Sequence, residues 1–115
     1  MTIKWLMAIS LGLVPLQPLS AGFFLSGYGY ASTIHAAVAG ALQLVAAIQC
    51  VAAIVLWLRR RVSMRVAGLC AGLLVMVFLE VWAGRHRQYW LHVPLGVGIL
   101  VCLRGPLTRA PRVAG

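Results

Sequence analysis

The sequence predicts an all-α integral membrane protein, a single up-down bundle of four helices spanning residues 1–115, multi-pass in the cell membrane. Three observations predict it. The 115 residues are 63% hydrophobic with a mean hydropathy of +0.98, too apolar for a water-soluble domain of this size. Four apolar runs approach the roughly 20 helical residues that a hydrocarbon core of about 30 Å requires. The charges fall between and beside those runs: nine of the ten basic residues are Arg, and Glu80 is the only acid. Such Arg residues read as topology signals and as partners for the anionic headgroups of the bilayer. They form no soluble basic face with stacking aromatics, so nucleic acid is not expected as a partner.

The first span covers residues 5–25. Pro15 and Pro18 in its second half predict a kink or a broken turn. Lys4 ahead of an apolar run, with Ser20, Ala21 and Gly22 after it, also fits a cleaved signal peptide. Cleavage after Ala21 would put Leu19 where a small residue is preferred, so retention is the first reading. The stretch from Gly22 to Ser32, with Gly27-Tyr28-Gly29-Tyr30, predicts a short interfacial loop. The second span, 32–58, stops at Arg59-Arg60-Arg61. The third, 66–83, is followed by Gly84-Arg85-His86-Arg87-Gln88, and the fourth, 89–103, is short for a bilayer. Residues 104–115 form a cytoplasmic tail.

Orientation follows from the basic residues. With the N-terminus inside, Lys4, Arg59, Arg60, Arg61, Arg65, Arg104, Arg109 and Arg112 lie on the inner side and Arg85 and Arg87 on the outer side. Eight against two places both termini in the cytoplasm. Cys50, Cys70 and Cys102 are singly spaced in apolar runs and read as small packing residues.

Helical periodicity gathers His35, Ala39, Leu42, Gln43, Ala46, Gln49, Cys50 and Ala53 on one face of the second span, which should look into the bundle. On the third span, Gly68 with Gly72, and Ala67 with Ala71, have the spacing that lets helices approach closely, and packing within the chain is the expected use. Glu80 near the outer end of that span is expected to pair with Arg85; the functional alternative is a carboxylate facing a cavity. His86, between two arginines, reads as solvated.

His35 and His92 open the second and fourth spans in the same way, 57 residues apart. Two parallel hairpin repeats would bring them to one depth on diagonal helices. Neighbouring axes about 8–10 Å apart put that diagonal near roughly 13 Å, across which two imidazoles could hold one haem iron. Ala39 and Gly96, each four residues after a histidine, would leave room for a flat ligand. Arg85, Arg87, Tyr28 and Tyr30 stand at the level expected for its propionates.

This pattern resembles one four-helix half of heme A synthase, a family whose half-bundles carry histidines on their second and fourth helices. The residues carried over are His35 and His92. The chain lacks the family's second half and its long outer loops, so the resemblance implies haem ligation in a membrane bundle and not synthase activity. Leu91-His92-Val93-Pro94-Leu95-Gly96-Val97 is also similar to a string in small four-helix membrane proteins of actinobacteria.

The first functional expectation is a b-type haem-binding subunit, with His35 and His92 as metal ligands, for electron transfer near the outer face, as part of a larger membrane or respiratory complex. The alternative is a scaffold or accessory subunit without a cofactor. A small transporter ranks third, because the first span has no acid. Independent enzymatic activity is not expected: no nucleophile-base pair, phosphate-cradling loop or paired carboxylates are present.

Overall fold

A computed structural model of the protein describes residues 3–108. It is helical throughout: α1 (Ile3–Leu13), α2 (Leu16–Leu25), α3 (Tyr30–Leu58), α4 (Met64–Arg85) and α5 (Tyr89–Thr108). Three stretches, Ile3–Leu25, Tyr30–Leu58 and Met64–Arg85, are long and apolar enough to cross a membrane. The apolar part of α5, Tyr89–Leu103, is shorter. Helical backbone runs on to Thr108, past the end expected at residue 103, and the rest of the expected tail lies outside the described residues.

The break between α1 and α2 has a local cause. Pro15 and Pro18 lack the N–H groups that would continue the ladder, and the Val14 carbonyl instead accepts from the Gln17 N–H at 3.1 Å. The three helix ends that precede a loop share one cap. Gly27, Arg60 and Arg87 take positive φ values of 96°, 57° and 56°. The residue after each bonds back into the last turn: Tyr28 to the Phe23 carbonyl at 3.1 Å, Arg61 to Leu56 at 2.8 Å and Gln88 to Ala83 at 2.8 Å. This is the Schellman arrangement, with arginine at two positions where glycine is usual. At the start of α4, the Ser63 hydroxyl accepts from the Val66 N–H at 3.4 Å.

α3 packs against α1, α2 and α4, while α5 packs against α4 and, further along, α1. α2 and α5 stand apart, as do α3 and α5. Ile3 and Val66 cover the buried Ala53, Ala67 and Cys70 at one end. Midway, Val14, Leu42, Ala46, Val77, Ile99 and Leu103 form the main core. Ala53 is fully buried where α3 meets α4. Ala53→Leu is therefore expected to force these helices apart, destabilising the protein by about 1–3 kcal/mol, read as a lowered melting temperature in detergent.

Along α3, Leu42, Ala46, Gln49, Cys50 and Ala53 are buried and His35, Ala39 and Gln43 are half-buried. The Gln49 amide donates to the Cys70 sulfur at 3.8 Å. On α4, the face used for packing is that of Ala67, Cys70 and Val77. Gly68 and Gly72 point outward, and a Cβ added at either would meet nothing within 4 Å. Of the two expected pairs it is Ala67 and Ala71 that turn inward, buried and half-buried, because each face of an α-helix is set by its 100° step and the buried arc lies one residue away from the glycines.

Candidate cofactor site

His35 lies one turn into α3 and His92 one turn into α5. Their rings meet edge-on between α3 and α5, whose backbones do not come close, with centroids 6.0 Å apart and planes inclined at 75°. Each ring is fixed from behind. His35 Nδ1 lies 3.1 Å from the Gln17 carbonyl and 3.1 Å from the Ser20 hydroxyl, which itself donates to Gln17 O at 3.0 Å. His92 Nδ1 lies 3.0 Å from the Glu80 carbonyl and 3.0 Å from Glu80 Oε1. A backbone carbonyl only accepts, so the hydrogen sits on Nδ1 in both rings. In the neutral ring Nε2 then carries a lone pair, and neither Nε2 has a hydrogen-bond partner among the described residues.

The local sequence explains both supports. The broken turn at Pro15 and Pro18 re-aims Gln17 and Ser20 toward α3. Gly84 gives the His92 ring its place: a Cβ there would stand 2.9 Å from Cε1 and 3.1 Å from Nδ1. Gly96 leaves room for the Glu80 carboxyl, whose Oε1 would lie 3.0 Å from an added Cβ. Gly96, expected to make space for a flat ligand beside its helix, lines the cavity and also seats the group that holds His92. Ala39 keeps the expected place in the cavity wall.

The rings border a cavity of about 540 Å³ in the half of the bundle that holds Trp82 and Trp90, within the range of small-molecule and cofactor sites. Its walls are aliphatic, supplied by residues such as Val14, Leu42, Val77, Val81, Val97 and Leu100. Arg85 reaches the cavity, but the pairing expected between it and Glu80 does not form: Glu80 pairs with His92, because both face inward while Arg85 is exposed at the helix end. Arg87, Tyr28 and Tyr30 are not among the lining residues. Tyr28 instead packs edge-on between Phe23 and Tyr30, at 5.8 and 6.0 Å. His86 stands outside, stacked on Trp82 at 4.7 Å.

No family model, curated protein or solved structure matches the chain. The site is read from its own geometry. No group of three or more His, Cys, Asp or Glu side chains is placed to hold a metal ion among the described residues. A metal held here by two imidazoles must bring its remaining ligands with it, and a porphyrin does so. Two Nε2 atoms at about 2 Å from a shared metal place the ring centroids roughly 6 Å apart, the separation observed. The donor set, the ring spacing and the apolar walls all fit haem.

Gln17, Ser20 and Gly84 escape a search for metal ligands, because they act behind the rings. One signal marks the first two: they are the polar side chains in the second half of the first apolar run, three residues apart on one helix face.

Proposed function

We propose that the protein is a multi-pass cell-membrane subunit that binds haem b between His35 and His92, for electron transfer near the outer face. The carrying observation is the pair of imidazoles with ring centroids 6.0 Å apart and both Nδ1 atoms committed to carbonyls, the support that oriented metal-binding histidines normally have. The Glu80 carboxyl makes His92 the more electron-rich ligand, and Ser20 and the Gln17 carbonyl hold the tautomer of His35. Aliphatic walls would keep water from the ring faces, and Arg85, which lines the cavity, would bind a propionate. When bound, haem supplies a one-electron couple. The resemblance to a half-bundle of heme A synthase extends to this ligand pair.

The bundle is read as up-down with both termini cytoplasmic. Exposed Trp5 and Trp57 belong to the end where Ile3 packs on Ala53, and exposed Trp82, Trp90 and Tyr89 to the histidine end. Two aromatic belts suit two interfaces. Lys4, Arg59, Arg60, Arg61 and Arg65 share the first end, where anionic lipid headgroups are their partners. A larger membrane or respiratory complex is the expected redox partner.

The test is an absorption spectrum of the detergent-solubilised protein from haem-replete cells. A sharp Soret band is expected; a colourless protein would favour the cofactor-free scaffold. Glu80→Gln keeps a hydrogen-bonding side chain behind His92 but removes the carboxylate. It is expected to weaken haem binding by about 10–100-fold, read by hemin titration.

A further inference from the structure

Three glutamines lie within the apolar stretches, and two of them turn inward. Gln17 and Gln49 each keep their side-chain oxygen buried, and the Gln49 amide donates to Cys70. Gln43 differs. It makes no side-chain hydrogen bond among the described residues, yet neither of its amide atoms is buried, so both reach the molecular surface. It does not line the cavity beside His35, so that surface is the outer one. Gln43 stands near the middle of the 29-residue α3, about 20 Å along the axis from either end. At that depth a side chain of its length meets only acyl chains, which neither donate nor accept.

The helix around it is open. At 100° per residue Gly40, Gln43 and Ala47 fall within about 60° of one another, flanked by exposed Leu44 and Val51. A Cβ added at Gly40 would meet nothing within 4 Å. The small residues supply clearance only. It is the stranded amide that calls for a partner, since polar side chains inside a membrane hydrogen-bond across helices. An amide carries both donor and acceptor, so another amide complements it. A second copy in the same orientation, related by a two-fold axis along the membrane normal, brings that amide to the same depth by symmetry. A helix of a different chain would need its own polar group at the bilayer centre.

We propose that the protein pairs with a second copy of itself through the outward face of α3, the two Gln43 side chains hydrogen-bonding each other at the centre of the bilayer. Each Nε2 donates to the other copy's Oε1. Gly40 and Ala47 let the two α3 backbones come close enough for those bonds, and Leu44 and Val51 pack at the rim. The interface lies outside the cavity and does not depend on haem.

The test is sedimentation equilibrium of the full-length protein in density-matched detergent micelles at several protein-to-detergent ratios. A reversible monomer–dimer equilibrium is expected. Gln43→Leu is expected to weaken it by about tenfold, the scale of two interhelical hydrogen bonds. Gly40→Leu, which crowds the contact, is expected to weaken it at least as much, and Gln43→Asn, which keeps an amide, to weaken it less. Gly68→Leu is the matched control, on an α4 glycine that also points outward. At the lowest ratio, where monomer prevails, Gln43→Leu should melt no earlier than wild type, because the amide has no partner within the chain; an earlier melt would place the bond inside one copy and overturn the proposal. A wild-type protein that stays monomeric at every ratio also overturns it, and leaves Gln43 to lipid or to a helix of another protein. So does a dimer that Gln43→Leu leaves intact, or one broken by Gly68→Leu and not by Gly40→Leu.

Discussion

His92→Ala is expected to yield a protein that no longer binds haem, with affinity down by more than about 100-fold, since even loss of a supporting partner costs about 10–100-fold. Two things fail together. The metal loses one of its two protein ligands, and no group of three or more His, Cys, Asp or Glu side chains is placed to hold it among the described residues. Glu80, the chain's single acid, loses the side chain that its Oε1 contacts at 3.0 Å. The variant should therefore also melt earlier than His35→Ala, which leaves Ser20 still donating to the Gln17 carbonyl at 3.0 Å. His86→Ala is the control. Its ring is exposed and stacked on Trp82 outside the cavity, so the Soret band should be unchanged. Retention of a wild-type Soret band in His92→Ala would remove the histidine pair as the ligand set.

Gly84→Ala is expected to disable the same site without touching a ligand. The added methyl would stand 2.9 Å from His92 Cε1, closer than packed carbons come, and the ring cannot swing away without giving up both Glu80 contacts. A displaced ring breaks the 6.0 Å alignment with His35, so hemin affinity should fall by a factor near that of Glu80→Gln. Stability should fall by about 1–3 kcal/mol from overpacking. Gly68→Ala and Gly72→Ala, on the same helix, add their methyls to open space and should change stability by no more than about 1 kcal/mol. Equal effects at all three glycines would show that helix propensity, and not the fit against His92, decides the outcome.

Periodicity made much of the fold legible. Apolar run lengths placed the helices, the prolines placed the break at residue 15, and the 100° step gathered the α3 residues from Leu42 to Ala53 that are buried. Where the reading failed, it lacked information about which neighbour each face meets. Gly68 and Gly72 carry a packing spacing, yet spacing alone does not say whether a partner helix lies in front of them. Distance along the chain pairs Glu80 with Arg85, the nearest cation in sequence. In space His92 is closer, since α5 folds back against α4. Histidine depth could be read from two like run starts, but of the groups behind the rings only the polar pair Gln17 and Ser20 left a sign, and not of its role. Gln17 acts largely through its carbonyl, and a main-chain atom leaves no trace in residue type.

The arginines at the two left-handed helix caps carry a consequence of their own. An L-residue in that conformation costs roughly 1–2 kcal/mol that glycine would avoid, so Arg60 and Arg87 are stops bought with backbone strain. Each is also a cation that resists passage through hydrocarbon. The residue that halts the winding of the helix is thus the residue that pins its height in the lipid sheet, and sliding either stop by a single position would misplace both at once.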